Sequence, residues 1–120
     1  MKRAIVFGCI VAASAALSGY SGPSKAAPMR YSKVAPLIAA KCVQCHNDKN
    51  HPENVNLTSY ATLMKSGEHG PIVIAGHPEK SKLIMYVDGE KAPRMPMNKK
   101  PLAQSEIDLL KGWIKAGAKG

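Results

Sequence analysis

The chain carries the stretch Cys42-Val43-Gln44-Cys45-His46. Two thiols three positions apart, with a histidine directly after the second, form the pattern at which a c-type haem is attached. One turn of helix or a tight loop presents both sulfurs to the two vinyl groups of the porphyrin, and the imidazole then lies under the ring, where it binds the iron. The stretch therefore predicts one haem c, bound covalently through Cys42 and Cys45, with His46 as an iron ligand.

A Cys-x-x-Cys pair also occurs in other kinds of site. It forms ordinary disulfides, the redox centres of thioredoxin-like proteins, and half of many zinc sites. Cys9 is the only other cysteine, so no second pair is present to complete a zinc site. The residues around the motif do not show the alternation of strands and helix that a thioredoxin-like fold needs. These alternatives are therefore less favoured than a haem.

The N-terminus has the pattern of an export signal. Met1-Lys2-Arg3 is positively charged, residues 4–17 are apolar, and Ser24-Lys25-Ala26 has small residues where a signal peptidase cleaves. The apolar run is short for a transmembrane helix, and no cysteine stands at the lipid-attachment position of a lipoprotein signal. We predict a signal peptide over residues 1–26, export to the periplasm, and no stable membrane insertion after cleavage.

Cleavage simplifies both the cysteine content and the charge. Cys9 leaves with the signal peptide, so only Cys42 and Cys45 remain. The net charge of +9 falls to about +6 because Lys2, Arg3 and Lys25 are removed and no acid is. A basic exported protein suits an acidic redox protein as its partner, such as a dehydrogenase, an oxidase or another cytochrome, whereas nucleic acid does not suit the compartment.

The remaining chain has the pattern of one small all-α domain. Residues 27–33 are polar and are predicted to be a flexible segment before a domain at residues 34–120. Pro36 suits the first position of a helix that leads into the cysteines, since its missing N–H would be unpaired there. Apolar residues at helical spacing predict further helices, and the proline-rich stretch 88–101 predicts an irregular loop. The expected architecture is three to five short helices around one cofactor, with the later helices at 58–65, 81–87 and 104–116.

The second iron ligand is expected from the proline-rich loop. Met95 is preferred there and Met97 is the alternative, because Pro93 and Pro96 hold the backbone extended and allow a rigid loop to direct a thioether at the iron. Met64 and Met85 lie among apolar residues and suit the core, whereas Met29 lies in the polar start of the domain. The remaining histidines lie in polar loops, and of these His69 and His77 stay open as alternative ligands. On the proximal side, we expect the Nδ1 atom of His46 to donate a hydrogen bond to a backbone carbonyl within residues 54–56.

Several further stretches, taken in order with the cysteine motif, are similar to those of a known family. Over most of residues 34–118 the chain resembles small class I-like monohaem cytochromes c, and it is closest to planctomycete-type cytochrome c domains. The stretches that carry the resemblance are Asn56-Leu57-Thr58-Ser59-Tyr60, Gly76-His77-Pro78-Glu79-Lys80-Ser81-Lys82-Leu83, Arg94-Met95-Pro96, Pro101-Leu102 and Trp113-Ile114-Lys115-Ala116-Gly117-Ala118.

The resemblance implies a function as well as a fold. It implies one c-type haem, His46 and Met95 as its axial ligands, and electron transfer rather than catalysis. It also implies that the first and last helices pack together near Trp113. One departure concerns Ala103, where relatives commonly have Ser or Thr three residues before Glu106. The last helix therefore lacks the usual side-chain cap, or it begins instead at Ser105.

We therefore predict a periplasmic one-electron carrier with His/Met ligation. Lys91, Arg94, Lys99 and Lys100 flank the Met95 loop and are predicted to form a basic surface that attracts acidic partners. The alternatives are a haem enzyme or gas sensor with an open or labile distal site, as in a peroxidase, and a haem-free dithiol oxidoreductase.

Overall fold

Helices connected by turns and loops form the domain. The computed structural model describes residues 29–120. Its four α-helices are α1 (Tyr31–Lys41), α2 (Tyr60–Lys65), α3 (Lys82–Val87) and α4 (Gln104–Lys115), and two short 3-10 turns cover Pro52–Asn54 and Pro78–Lys80. Within residues 29–120 no strand forms, and a single bridge joins Arg30 to Lys119. The predicted small all-α cytochrome c-like fold is confirmed.

Helices α1 and α4 pack against each other, as the resemblance implied. Trp113 of α4 is fully buried, and its ring centroid lies 5.8 Å from that of Tyr31 on α1. The Tyr60 ring at the start of α2 lies 5.5 Å from Tyr31, so three aromatic side chains form one cluster. The indole Nε1 of Trp113 donates to the Lys119 carbonyl at 3.0 Å, so this large apolar ring is buried without an unpaired N–H.

The first helix begins earlier than the sequence indicated. Its first residue is Tyr31 and Pro36 lies inside it, so the expectation that Pro36 opens the helix was wrong. The Tyr31 amide donates to the Lys119 carbonyl at 2.7 Å, and the Tyr31 ring packs on Trp113. These contacts with the C-terminal segment stabilise the extra turn, and they outweigh the loss of one helical hydrogen bond at the proline.

Local sequence explains the bounds of α2 and α4. Ser59 caps α2, since its side chain accepts from the Thr62 amide at 3.1 Å while the Thr62 hydroxyl accepts from the Ser59 amide. Helix α4 begins at Gln104 with Ala103 as its N-cap. The Glu106 carboxylate accepts from the Ala103 amide at 2.9 Å, but Ala103 has no oxygen with which to return a bond. The cap is therefore lost and does not move to Ser105.

Short apolar faces of α3 and α4 complete the core. Leu83, Ile84 and Val87 are buried on α3, as their spacing predicted. Helix α4 buries Trp113 with the apolar residues Ile107, Leu110 and Ile114. Helix α4 stops before Gly117, whose φ of 110° is a conformation that glycine adopts without strain.

The predicted signal peptide, residues 1–26, lies outside the described residues. None of the helices within residues 29–120 combines the length and apolarity that crossing a bilayer requires.

Candidate cofactor site

The cysteine motif follows directly from helix α1. Cys42 is the C-cap of that helix, and its amide donates to the Ile38 carbonyl at 2.9 Å. The carbonyl of Cys42 then accepts from the amides of Cys45 at 3.2 Å and His46 at 3.0 Å. Both thiols are free, Cys42 half-buried and Cys45 exposed. This turn places both sulfurs and the imidazole on the wall of one cavity.

That cavity is the central feature of the molecule. Its volume is about 690 Å³, and it opens between the cysteine motif, α3 and the proline-rich loop. Protein interiors are close-packed, so a small domain rarely contains a void this large unless a ligand fills it. The volume lies within the range of small-molecule and cofactor sites. The structure brings together on its wall every predicted site residue, namely Cys42, Cys45, His46, Met95 and the alternative Met97.

The chemistry of this wall suits a haem. Two thiols, an imidazole and a thioether are the donors that a c-type haem uses. The wall also includes three apolar residues that no sequence motif marks, Leu57, Leu83 and Val87. Leu83 and Val87 are four residues apart on α3, so helical spacing alone shows that they share a face, but not that this face borders a cavity.

His46 is held in one orientation. Its Nδ1 atom lies 3.0 Å from the Val55 carbonyl oxygen, which confirms the hydrogen bond expected within residues 54–56. A carbonyl only accepts, so Nδ1 carries the proton and Nε2 keeps its lone pair for a metal. The carbonyl of His46 also accepts from the Leu57 amide at 3.0 Å. Two hydrogen bonds therefore join His46 to the segment 55–57.

Met95 and Met97 differ in their surroundings. Met95 is half-buried and packs against the apolar core, and its amide donates to the Tyr86 carbonyl of α3 at 2.9 Å. Met97 is 54% exposed and is the one large apolar side chain among residues 29–120 to be exposed. Both residues border the cavity, but only Met95 is fixed to the core beside it.

The Cys42 thiol is not activated as a nucleophile. Burial raises the pKa of the Cys42 thiol to about 11, with a smaller contribution from the neighbouring Cys45. Dithiol oxidoreductases depend on a thiolate whose pKa is lowered instead. Cys42 is therefore a protonated thiol at neutral pH.

Charged residues surround the mouth of the cavity. Of the four predicted basic residues, Lys91 and Lys99 border the cavity, whereas Arg94 and Lys100 are exposed on the same loop outside it. The Lys99 ammonium donates to the side chain of Gln44, so the loop crosses to the cysteine motif. Two further lysines, Lys41 and Lys82, also border the cavity, although no sequence motif marks them.

Two glutamates and a histidine lie together at the same mouth of the cavity. The side-chain ligand atoms of Glu53, Glu68 and His69 lie within 4.8 Å of one another, and all three residues are exposed. The remaining loop histidines, His51 and His77, are exposed as expected, and neither of them borders the cavity.

The described residues form four helices around an apolar cavity, and the Cys-x-x-Cys-His motif lies on its wall. This arrangement is that of a small cytochrome c-like domain. A comparison with known families agrees, since residues 42–97 match the family described as Planctomycete cytochrome C. The match agrees with the resemblance found in the sequence, and it supports a haem-binding domain of the electron-carrier type. Comparisons with curated proteins and with solved structures found no match.

Proposed function

We propose that the protein is a one-electron carrier with a single haem c, attached covalently through Cys42 and Cys45 and ligated by His46 and Met95. The observation that carries the proposal is the convergence of these four side chains on one cavity of about 690 Å³. When bound, the haem supplies an iron that cycles between the ferric and ferrous states. The protein would anchor the ring, supply both iron ligands and limit access of water.

Each residue has a distinct role in this proposal. The two thiols would hold the porphyrin as thioethers, and the His46 Nε2 atom would bind the iron because Nδ1 is bonded to Val55. The thioether of Met95 would supply the second iron ligand. A thioether ligand and apolar walls favour the ferrous state, so we expect a positive reduction potential.

Burial favours Met95 over Met97 as the distal ligand. A ligand must keep its sulfur inside the cavity in both oxidation states, and Met95 is packed against the core whereas Met97 is 54% exposed. The Met95 amide is also fixed to α3 through the Tyr86 carbonyl. We assign the distal position to Met95 on these two observations.

A purely electron-transferring role agrees better with this site than the alternatives. An iron with two protein ligands has no open position for peroxide or a gas, so we propose no enzymatic activity. A dithiol oxidoreductase needs a lowered thiol pKa, and burial shifts that of Cys42 in the opposite direction.

The proposed compartment is the periplasm. The N-terminal residues 1–26 have the charge and apolar pattern of an export signal. Such a signal brings the Cys-x-x-Cys-His motif to the side of the membrane where haem is attached to it. Export and haem attachment therefore support each other.

The proposed partners are acidic redox proteins that dock near Lys91, Arg94, Lys99 and Lys100. These side chains are exposed, and two of them border the mouth through which the haem edge would be reached. Electrostatic attraction of this kind raises association rates and is screened by salt. The double variant Lys99→Gln/Lys100→Gln should transfer electrons to an acidic partner more slowly, with a flatter salt dependence.

The control for this surface changes the net charge by the same amount elsewhere. Lys33 and Lys115 are exposed on α1 and α4, outside the cavity wall. Lys33→Gln/Lys115→Gln should stay close to wild type. If both double variants slowed transfer equally, net charge rather than a local docking surface would explain the effect.

Absorption spectra test the central proposal. The exported protein should show a c-type haem spectrum, with a weak sulfur-to-iron band in the ferric state that Met95→Ala abolishes and Met97→Ala retains. Loss of the band only in Met97→Ala would reverse the assignment. A haem spectrum without the band in wild type, together with carbon monoxide binding to the native ferrous form, would favour the enzyme or sensor alternative.

A further inference from the structure

A buried serine outside the cavity is connected to the proximal histidine. Ser66, at the C-terminal end of α2, is only 3% exposed, and its hydroxyl accepts a hydrogen bond from the Asn56 amide at 2.9 Å. The Asn56 N–H and the Val55 carbonyl belong to the same peptide group. That carbonyl is the acceptor for the Nδ1 proton of His46 at 3.0 Å. Ser66 and His46 therefore bond to opposite ends of one amide.

The chain of hydrogen bonds continues into α2. The Ser66 hydroxyl has one proton, which it donates to the Thr62 carbonyl at 2.7 Å or to the Asn56 carbonyl at 3.0 Å. The first option makes a continuous path from His46 through the amide and the serine to the backbone of α2. Hydrogen bonds in series polarise one another in an interior of low dielectric constant. A peptide whose N–H is bonded has a more negative carbonyl oxygen, and therefore accepts more strongly from Nδ1.

We propose that Ser66 is a positioning residue for His46, which fixes and polarises the Val55–Asn56 peptide and so sets the strength of the proximal hydrogen bond. This inference rests on the proposed ligation of haem iron by His46. Partners of this kind orient a ligating histidine and raise its basicity. A more basic imidazole stabilises ferric iron, so Ser66 is expected to lower the reduction potential.

The fold offers a matched control in Ser81. This serine is also fully buried. Its hydroxyl accepts from the Ile74 amide at 2.9 Å and donates to the His77 carbonyl at 2.9 Å. It makes the same kind of link between a helix end and a loop, but none of its hydrogen bonds leads to His46. Any general effect of losing a buried hydroxyl should therefore be common to Ser66→Ala and Ser81→Ala.

The experiment compares wild type, Ser66→Ala, Ser66→Thr and Ser81→Ala as haem-loaded proteins. We expect Ser66→Ala to raise the midpoint potential above that of wild type and of Ser81→Ala. In the reduced protein, exchange of the His46 Nδ1 proton, followed by NMR, should accelerate roughly fivefold, the effect of weakening one ordinary hydrogen bond. Ser66→Thr keeps a hydroxyl and should restore both values.

Separate outcomes distinguish this inference from the proposed function. A wild-type protein without His46-ligated haem would overturn both. A normal wild-type spectrum, with Ser66→Ala equal to Ser81→Ala in potential and in proton exchange, would overturn only the role of Ser66. If Ser66→Ala does not fold, exchange of the Asn56 amide in wild type decides: slow exchange supports the link to Ser66, and exchange at the rate of a free amide contradicts it.

Discussion

Ala103→Ser should stabilise the protein, because helix α4 lacks half of its N-terminal cap. Ala103 has the extended backbone of an N-cap, with φ −64° and ψ 153°, and Glu106 already accepts from its amide at 2.9 Å. A serine oxygen at this position would be placed to accept from the Glu106 amide, as Ser59 does from Thr62 at the start of α2. The reciprocal pair would then be complete.

The magnitude follows from the exposure and from the cap already present. Replacing a capping Ser by Ala costs about 1 kcal/mol, and Ala103 is exposed, so adding a serine needs no repacking. A gain of about 1 kcal/mol raises the melting temperature by roughly 4–8 °C in a domain of this size. In urea it moves the midpoint by roughly 0.3–1 M. Ser59→Ala should lose a similar amount.

Urea unfolding of the haem-loaded protein, followed by circular dichroism, measures the gain in Ala103→Ser and the loss in Ser59→Ala. The control is Ser105→Ala, since Ser105 is exposed inside α4 and makes no capping bond. It should change the midpoint little. An unchanged midpoint in Ala103→Ser, together with a loss in Ser105→Ala, would refute the reasoning and would place the start of the helix at Ser105.

Three further predictions concern packing, backbone conformation and pH. Trp113→Ala should cost about 3–5 kcal/mol in urea unfolding, since the indole is fully buried between helices; a loss below about 1 kcal/mol would contradict this. Gly67→Ala should destabilise more than Gly76→Ala, because both have positive φ but only at Gly67 does a new Cβ meet the carbonyl oxygen three residues on; equal losses would show that this contact relaxes. The Glu79 pKa is lowered, mainly by its own backbone hydrogen bond and secondly by His77. This carboxylate therefore stabilises the fold at pH values above the ordinary carboxyl pKa, and its contribution is lost as the pH falls through the lowered pKa. His77→Ala should raise the Glu79 pKa, measured by NMR titration. An unchanged value would assign the shift to the backbone hydrogen bond and the Lys80 charge.

Local patterns in the sequence were sufficient for most of the helices. Apolar spacing predicted α3 and α4, because this feature depends on neighbouring residues only. The start of α1 was misplaced at Pro36, since the true start depends on contacts between Tyr31 and the distant residues Trp113 and Lys119. A local rule about proline does not include those contacts.

The sequence identifies the candidate residues of the site, but not how the fold brings them together. Five adjacent residues named the two thiols and the imidazole, and the expected carbonyl partner of His46 was found at Val55. The sequence prefers Met95 to Met97, and the burial of each side chain, which supports the same proposal, does not follow from any periodicity in an irregular loop. The lysines at positions 41 and 82 reach the cavity only because separate helices converge there.

The two sides of the cavity are held with unequal firmness, and this bears on the proposed function. On the proximal side, His46 is bonded through its ring and its carbonyl to the segment 55–57, and Ser66 ties that segment to α2. On the distal side, Met95 lies in a loop of irregular structure and is joined to α3 through one backbone bond to Tyr86. Local opening begins where buried contacts and hydrogen bonds are fewest. Loss of a ligand under denaturing stress should therefore begin at Met95 while His46 stays bound, so partial unfolding would open the distal face of the haem first.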